Sequence, residues 1–153
     1  MFTPDETDRR ILRALQRNPT LSTAALAERA GLSPSPCWRR LARMEAEGVV
    51  RGRIVEADFA KLGYTVQVFL RVRLDKTQAG AFREFIAAAR AVPEITAIQT
   101  LLGRVDIRMD VVARDLAHYQ TLLTTRIHDL PHVADIDALL LVSELKNDAW
   151  LPI

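Results

Sequence analysis

Two prolines in the first half of the chain fix where a helix must begin. They stand in the segment Ser-Pro-Ser-Pro, residues 33–36. Proline is tolerated in a helix only within its first turn, where the backbone N–H has no helical partner. Cys37, Leu41 and Met44 then recur at helical spacing and predict one apolar stripe. The sequence therefore predicts a helix that begins at Pro34, with the preceding serine as its N-cap.

The rest of the surface of this helix is small and basic. It carries Ser35, Arg39, Arg40 and Arg43, side chains suited to the phosphates and base edges of DNA. Gly48 follows at the position favoured for a left-handed C-cap. Residues 49–53, Val-Val-Arg-Gly-Arg, are β-prone and basic, and we expect them to form a wing beside the helix.

A second short helix precedes this one, with Ser22 as its predicted N-cap and Gly31 in the turn between the two. Two helices joined by a short turn that contains glycine form a helix-turn-helix unit. An earlier helix, with acids in residues 5–8 and its end at Asn18, completes a small three-helix core. The residues predicted to contact DNA are Ser22, Thr23, Ser33, Ser35, Arg39, Arg40, Arg43, Arg51 and Arg53.

Positive charge is concentrated in the part of the chain that holds these helices. The formal net charge is only +2, and residues 61–153 carry 11 Lys and Arg against 11 Asp and Glu. Residues 33–53 alone hold five arginines against two glutamates. A local excess of this kind is typical of a surface that binds double-stranded DNA.

The second half of the chain changes from helical periodicity to alternation. Residues 64–74 alternate apolar and polar side chains and predict a half-buried strand, and helical residues 79–91 follow. Two strands around Gly103, a helix capped by Asp115 and a last strand over 133–142 complete the order β-α-β-β-α-β, which is ferredoxin-like. The predicted fold class is α+β: a winged helix-turn-helix domain over residues 1–55, a linker over 56–63 and a ferredoxin-like domain over 64–153. Two helices can cover only one face of such a sheet, and the other face, which mixes apolar bulk with both signs of charge, suggests a partner surface.

Several short motifs resemble those of one family. The Ser-Pro-Ser-Pro-Cys entry to the helix and the segment Glu-Gly-Val-Val at 47–50 are similar to the leucine-responsive/asparagine-regulator (Lrp/AsnC) family of transcription regulators. Leu-Gly at 62–63, Leu-Pro-His-Val at 130–133 and Leu-Lys at 145–146 also stand where that family's pattern places them. The resemblance implies a regulator of double-stranded DNA that forms homodimers and assembles further into tetramers or octamers.

The same resemblance implies a small-molecule effector, most often an amino acid, bound near the turn between the second and third strands. The matching residues are Leu102, Gly103, Arg104, Asp106, Asp135 and Asp137. Arg104 stands where an acidic residue is common in the family, and His132 replaces the glycine of Leu-Pro-Gly-Val. Arg104 could favour an acidic ligand or could point to solvent, and a regulator without an effector also stays open.

Other classes of protein find little support. The single Cys37 excludes an internal disulfide and a Cys-rich zinc site, and Pro131 separates His128 from His132, so we expect no metal and no cofactor. No nucleophile motif or phosphate-binding Gly-rich loop is present, although a sirohaem-decarboxylase-like enzyme on the same two-domain plan is the alternative. No apolar run reaches the length of a membrane span and no signal peptide begins the chain, so we expect a cytoplasmic protein.

Overall fold

The computed structural model describes residues 2–147 and 151–153, which form two compact units. The first unit contains the described residues up to Glu56 together with 146–147 and 151–153, and the second is Ala57–Leu145. The sequence-based division gave all residues from 64 onward to the second domain. The final residues instead lie with the first unit, where the Leu151 backbone N–H donates to Gln16 Oε1 at 2.7 Å.

Three helices build the first unit: α1 (Glu6–Arg17), α2 (Thr23–Ala30) and α3 (Pro34–Ala46). Helix α3 begins at the predicted proline, and Gly31, with φ of 68°, ends α2 in the left-handed conformation that glycine adopts without strain. The Ser22 hydroxyl caps α2 by accepting from the Ala25 N–H at 3.2 Å. The buried side chains of this unit come from all three helices and are Ile11, Ala14, Leu26, Ala27, Ala30, Cys37, Leu41 and Met44.

Four antiparallel strands and two helices build the second unit. The elements are β1 (Val66–Leu74), α4 (Ala81–Arg90), β2 (Ile95–Thr100), β3 (Ile107–Ala113), α5 (Leu116–Leu122) and β4 (Val133–Leu140), and the strand order is β2-β3-β1-β4. A π-helical turn, Leu123–Ile127, extends α5. This order confirms the ferredoxin-like prediction. Within the described residues no helix is both long enough and apolar enough to cross a bilayer.

The two faces of the sheet differ as the alternating pattern predicted. Val68, Leu70 and Val72 of β1 are buried with Phe85 of α4, whereas Arg71 is exposed. Two expectations about burial were wrong. Leu116, expected to point inward, is 60% exposed because it occupies the first turn of α5. Asp106, expected on the open face, is only 6% exposed because it lies before β3 begins.

The β conformation expected for residues 49–53 is absent. Gly48, with φ of 71°, allows the backbone N–H groups of Val49 and Val50 both to donate to the Met44 carbonyl oxygen. Residues 51–58 then run exposed and without strand pairing in the single chain. A strand needs a neighbour for its backbone groups, and no edge of the described first unit supplies one.

Candidate DNA interface and effector pocket

Helix α3 presents a continuous exposed face opposite its buried stripe. Ser35 and Arg39 lie near the centre of this face, and Trp38, 60% exposed, flanks it. Arg39 forms no ion pair or hydrogen bond with any other residue that the structure describes. Its guanidinium is therefore free to meet an external acceptor.

Arg40 and Arg43, in contrast, are held by one buried carboxylate. Asp8 of α1 has no exposed side-chain surface, and its Oδ1 accepts from Arg40 Nη1 at 2.8 Å while its Oδ2 accepts from Arg43 Nη2 at 3.1 Å. Arg40 Nη1 also donates to Asp5 Oδ2 at 2.7 Å. Two helices that are far apart in sequence are thus joined by charge-assisted hydrogen bonds. Arg40 and Arg43 lack the freedom that the sequence interpretation gave them.

The same two carboxylates also begin α1. Asp8 N–H donates to Asp5 Oδ1 at 2.8 Å and Asp5 N–H donates to Asp8 Oδ2 at 3.1 Å, which is a capping box made from two aspartates. The Asp8 backbone N–H, and after it the Arg40 guanidinium, hold the pKa of Asp5 below its usual value. The Asp5 carboxylate in turn, with Asp8 second, raises the pKa of Arg40. The start of α1 and the seat of α3 therefore depend on one ionised group of residues.

Arg43 keeps half of its side chain exposed while it is seated. Its guanidinium carbon lies 4.5 Å from the centre of the Phe2 ring, and its side chain is 51% exposed. Arg40 is less accessible, at 32%. Arg39, Arg40 and Arg43 nevertheless line one shallow depression with Pro36 on the surface of α3. A phosphate in that depression would meet one free and two partly neutralised guanidinium groups.

The other predicted DNA contacts surround this face or lie apart from it. Ser33 stands at the N-cap of α3, but its hydroxyl makes no capping hydrogen bond, so it stays available to a ligand. Ser22 and Thr23 are exposed at the start of α2. Arg51 and Arg53 lie in the exposed irregular segment 51–58. That these residues touch DNA stays a prediction.

The predicted effector residues fall into two groups. Arg104 and Asp106 line one depression together with Arg73, Asp75 and Lys76, where the end of β1 meets the segment before β3. Leu102 is fully exposed, and a Cβ added to Gly103 would meet no atom within 4 Å, so this turn stands in open space. Asp135 and Asp137 lie on β4 instead.

Every acid in this predicted set is already engaged. Asp106 accepts from Lys76 Nζ at 2.6 Å and from the Leu74 backbone N–H at 3.0 Å, and these two donors lower its pKa, Lys76 first. On the register-paired strands β1 and β4, Arg73 Nη2 lies 3.2 Å from Asp135 Oδ2, and Arg71 Nε donates to Asp137 Oδ2 at 3.0 Å. The expectation that Asp106 pairs with Arg71 or Arg108 was wrong; Arg108 pairs with Asp110.

Sequence reasoning missed the residues that hold the functional side chains. It placed Asp5 and Asp8 in the first turn of α1 but not against α3, and it gave Lys76 and Arg73 no role. Charge alone could have suggested a partner for a buried-helix aspartate, yet the partners lie 32 and 35 residues away. Among the described residues, no group of three or more His, Cys, Asp or Glu side chains could hold a metal ion.

Comparison with known proteins gives matches along nearly the whole chain. Residues 4–51 match the family described as winged helix-turn-helix DNA-binding, and residues 67–151 match the Lrp/AsnC ligand binding domain. The leucine-responsive regulatory protein of Haemophilus influenzae is 33% identical over 147 residues, which are 96% of this chain and 89% of that protein. The glutamate uptake regulatory protein of Zymomonas mobilis is 29% identical over 149 residues, which are 97% of this chain and 90% of that protein. The crystal structure of a transcriptional regulator from Neisseria meningitidis in complex with L-Met has a TM-score of 0.92 and 31% identity, and covers 98% of this chain and 97% of that one.

Proposed function

The chain belongs to the Lrp/AsnC family of DNA-binding transcription regulators, and we propose that it recognises its operator through Ser35 and Arg39 of α3 and alters its DNA affinity when a small carboxylate effector binds. The observation that carries this proposal is the free guanidinium of Arg39 at the centre of an exposed helix face whose neighbours are fixed by Asp8. A helix seated rigidly on its own domain can present one side chain to a base edge with little loss of entropy on binding.

The enzyme alternative is not supported. Both matched families and the relatives named above are regulators rather than catalysts. The basic face of α3 also has a clear use in binding DNA, whereas a decarboxylase has no need of it.

The DNA proposal divides the arginines by role. Arg39 can donate two hydrogen bonds to one guanine, a contact that contributes about 1–3 kcal/mol of discrimination. Arg40 and Arg43 are seated on Asp8 and act chiefly by positioning the helix and by contributing positive charge. Arg51 and Arg53, on an exposed segment, are suited to phosphates.

Fluorescence anisotropy with the promoter region of the protein's own gene and with random duplex DNA tests this division. Arg39→Ala should weaken binding to the specific site by about tenfold or more and leave binding to random DNA nearly unchanged. Arg53→Ala should weaken both equally and reduce the slope of log affinity against log salt by about one. Arg90→Ala, an exposed arginine of α4, is the matched control. The assignment fails if Arg39→Ala leaves the ratio of specific to random binding unchanged.

We further propose that a homodimer is the unit that binds DNA, with tetramers or octamers built from it. Apolar side chains that a lone chain leaves in water support this: Ile54 and Val55 are 90% and 95% exposed, and Leu139 and Leu140 of β4 are about half exposed. A two-fold dimer places two recognition helices on half-sites about one helical turn apart, or a multiple of it. Sedimentation that gives a monomer at micromolar concentration contradicts this proposal. As a DNA regulator, the protein would act in the cytoplasm.

The effector proposal rests on the family and on the depression beside Arg104. The Neisseria relative was crystallised with L-Met, and the relatives from Haemophilus and Zymomonas are described as leucine-responsive and as a regulator of glutamate uptake. We place the effector of this chain near Leu102, Gly103, Arg104 and Asp106, with Asp135 and Asp137 on the neighbouring strand. Thermal-shift measurements with the twenty amino acids test it, because a ligand that binds only the folded state raises the apparent stability.

A further inference from the structure

The depression beside the β2–β3 turn is unusually rich in cations for a site that would hold a zwitterion. Three positive side chains, Arg73, Lys76 and Arg104, line it against two carboxylates, Asp75 and Asp106. The lining therefore carries one more positive charge than negative. A low-dielectric depression with this imbalance attracts anions.

Neither carboxylate of the lining is available to a ligand. Asp106 is 94% buried, and Lys76 Nζ and the Leu74 backbone N–H already occupy its two oxygens. Asp75 accepts from the Thr77 backbone N–H at 2.9 Å and so caps its own turn. The α-ammonium of an amino acid would thus have to displace Lys76, at a buried carboxylate, or break a backbone turn.

Arg104, in contrast, is unoccupied. It is exposed on the turn and makes no hydrogen bond or ion pair with any residue in the described ranges. Arg73 does have a partner, Asp135 at 3.2 Å, but more than half of its side chain is exposed and the contact is long. A guanidinium of this kind binds a carboxylate with two parallel hydrogen bonds.

From these contacts we propose that the effector of this regulator is a small dicarboxylate, bound through Arg104 and the Arg73–Lys76 pair, and that its amino group is dispensable. The inference rests on the proposed regulatory function and specifies the ligand class for the same depression. It separates acidic amino acids and 2-oxo diacids, which should bind, from neutral amino acids such as leucine and methionine, which should not.

Isothermal titration of the full chain tests the class of ligand directly. L-Glutamate and 2-oxoglutarate are compared with L-glutamine, which has the size of glutamate without the second charge, and with L-leucine and L-methionine at equal ionic strength. We expect glutamate and 2-oxoglutarate to bind within a few-fold of each other and glutamine to bind about tenfold more weakly, because a charge-assisted contact is replaced by a neutral one. Equal or tighter binding of glutamine, leucine or methionine overturns the inference, as does the failure of both dicarboxylates to bind.

A pair of variants tests the location. Arg104→Gln should lose about tenfold in affinity for glutamate and lose the preference over glutamine, whereas Arg126→Gln, which removes an exposed arginine outside the depression, should change neither. An Arg104→Gln variant that binds glutamate like the wild type refutes the proposed contact.

The anisotropy assay with promoter DNA separates this inference from the function beneath it. If a neutral amino acid changes DNA affinity and dicarboxylates do not, the regulator stands and the dicarboxylate class falls. If the wild-type protein binds no DNA specifically, the proposed function falls whatever the titrations show.

Discussion

The buried carboxylate of Asp8 offers the sharpest test of how the recognition helix is held. In Asp8→Asn the amide oxygen can still accept from Arg40, but the amide NH₂ faces Arg43 Nη2 and the Asp5 N–H, which are both donors. The variant thus loses one charge-assisted hydrogen bond, of about 1.5–3 kcal/mol, and part of a helix cap, of about 1 kcal/mol. Removing one partner of a buried ion pair costs about 3–5 kcal/mol in general. Because both arginines are partly exposed and can be rehydrated, we expect a loss of about 2–4 kcal/mol in the free energy of unfolding.

Urea denaturation followed by circular dichroism gives the free energy, and amide hydrogen exchange shows whether the loss falls on α1 and α3 rather than on the sheet. Glu6→Gln is the matched control. Glu6 lies in the same helical turn and pairs with Arg13, but its side chain is 72% exposed, so it should change the free energy of unfolding by less than about 1 kcal/mol. An Asp8→Asn variant within about 0.5 kcal/mol of wild type would refute the view that this carboxylate seats the recognition helix.

Three further predictions concern single residues. Gly31→Ala should lower the free energy of unfolding by about 1–2 kcal/mol in urea denaturation, because Gly31 has φ of 68° and a Cβ there strains the backbone; an unchanged value would contradict this. Lys76 and the Leu74 N–H lower the pKa of Asp106, so its contribution to stability is present above the usual aspartate range and is lost as the pH falls through the lowered value; Asp106→Asn should remove this acid-side loss from a pH series of melting temperatures. Burial raises the pKa of the Cys37 thiol, so an aromatic disulfide reagent at neutral pH should react slowly until denaturant is added, and rapid labelling of the folded protein would show that the core of the helical unit opens readily.

The elements of both units could be predicted from local pattern. Pro34 fixed the start of α3, Gly48 its end, and the alternation over 66–74 gave β1 and its buried face, because each of these features acts through near neighbours in the chain. The order of the elements then determined the order of the strands, because few connections are possible between them.

What the sequence could not supply was the partner of each charge. Arg39 and Arg40 are adjacent and identical, yet one is free and the other is bound to Asp5 and Asp8 from a different helix. Asp106 belongs to the predicted effector set, but Lys76 occupies it. The wing failed for a related reason: Val49 and Val50 have strand propensity, but propensity does not provide a neighbouring strand.

The sequence of the helical unit is discontinuous, and this has a consequence for how it is made. Its described residues run up to Glu56 and resume at 146, with the whole of Ala57–Leu145 in between. At about 5–20 residues per second on the ribosome, roughly 5–20 s separate the appearance of α3 from that of Leu151. The buried core of the unit, as far as the structure describes it, comes from α1, α2 and α3, so it can close during that interval. The groove beside Arg13, Gln16 and Arg17 is completed by Leu151–Ile153 only when the last residues are translated. The nascent chain thus carries a folded DNA-reading unit, with that groove still open to water, for the entire time that its sheet is being synthesised.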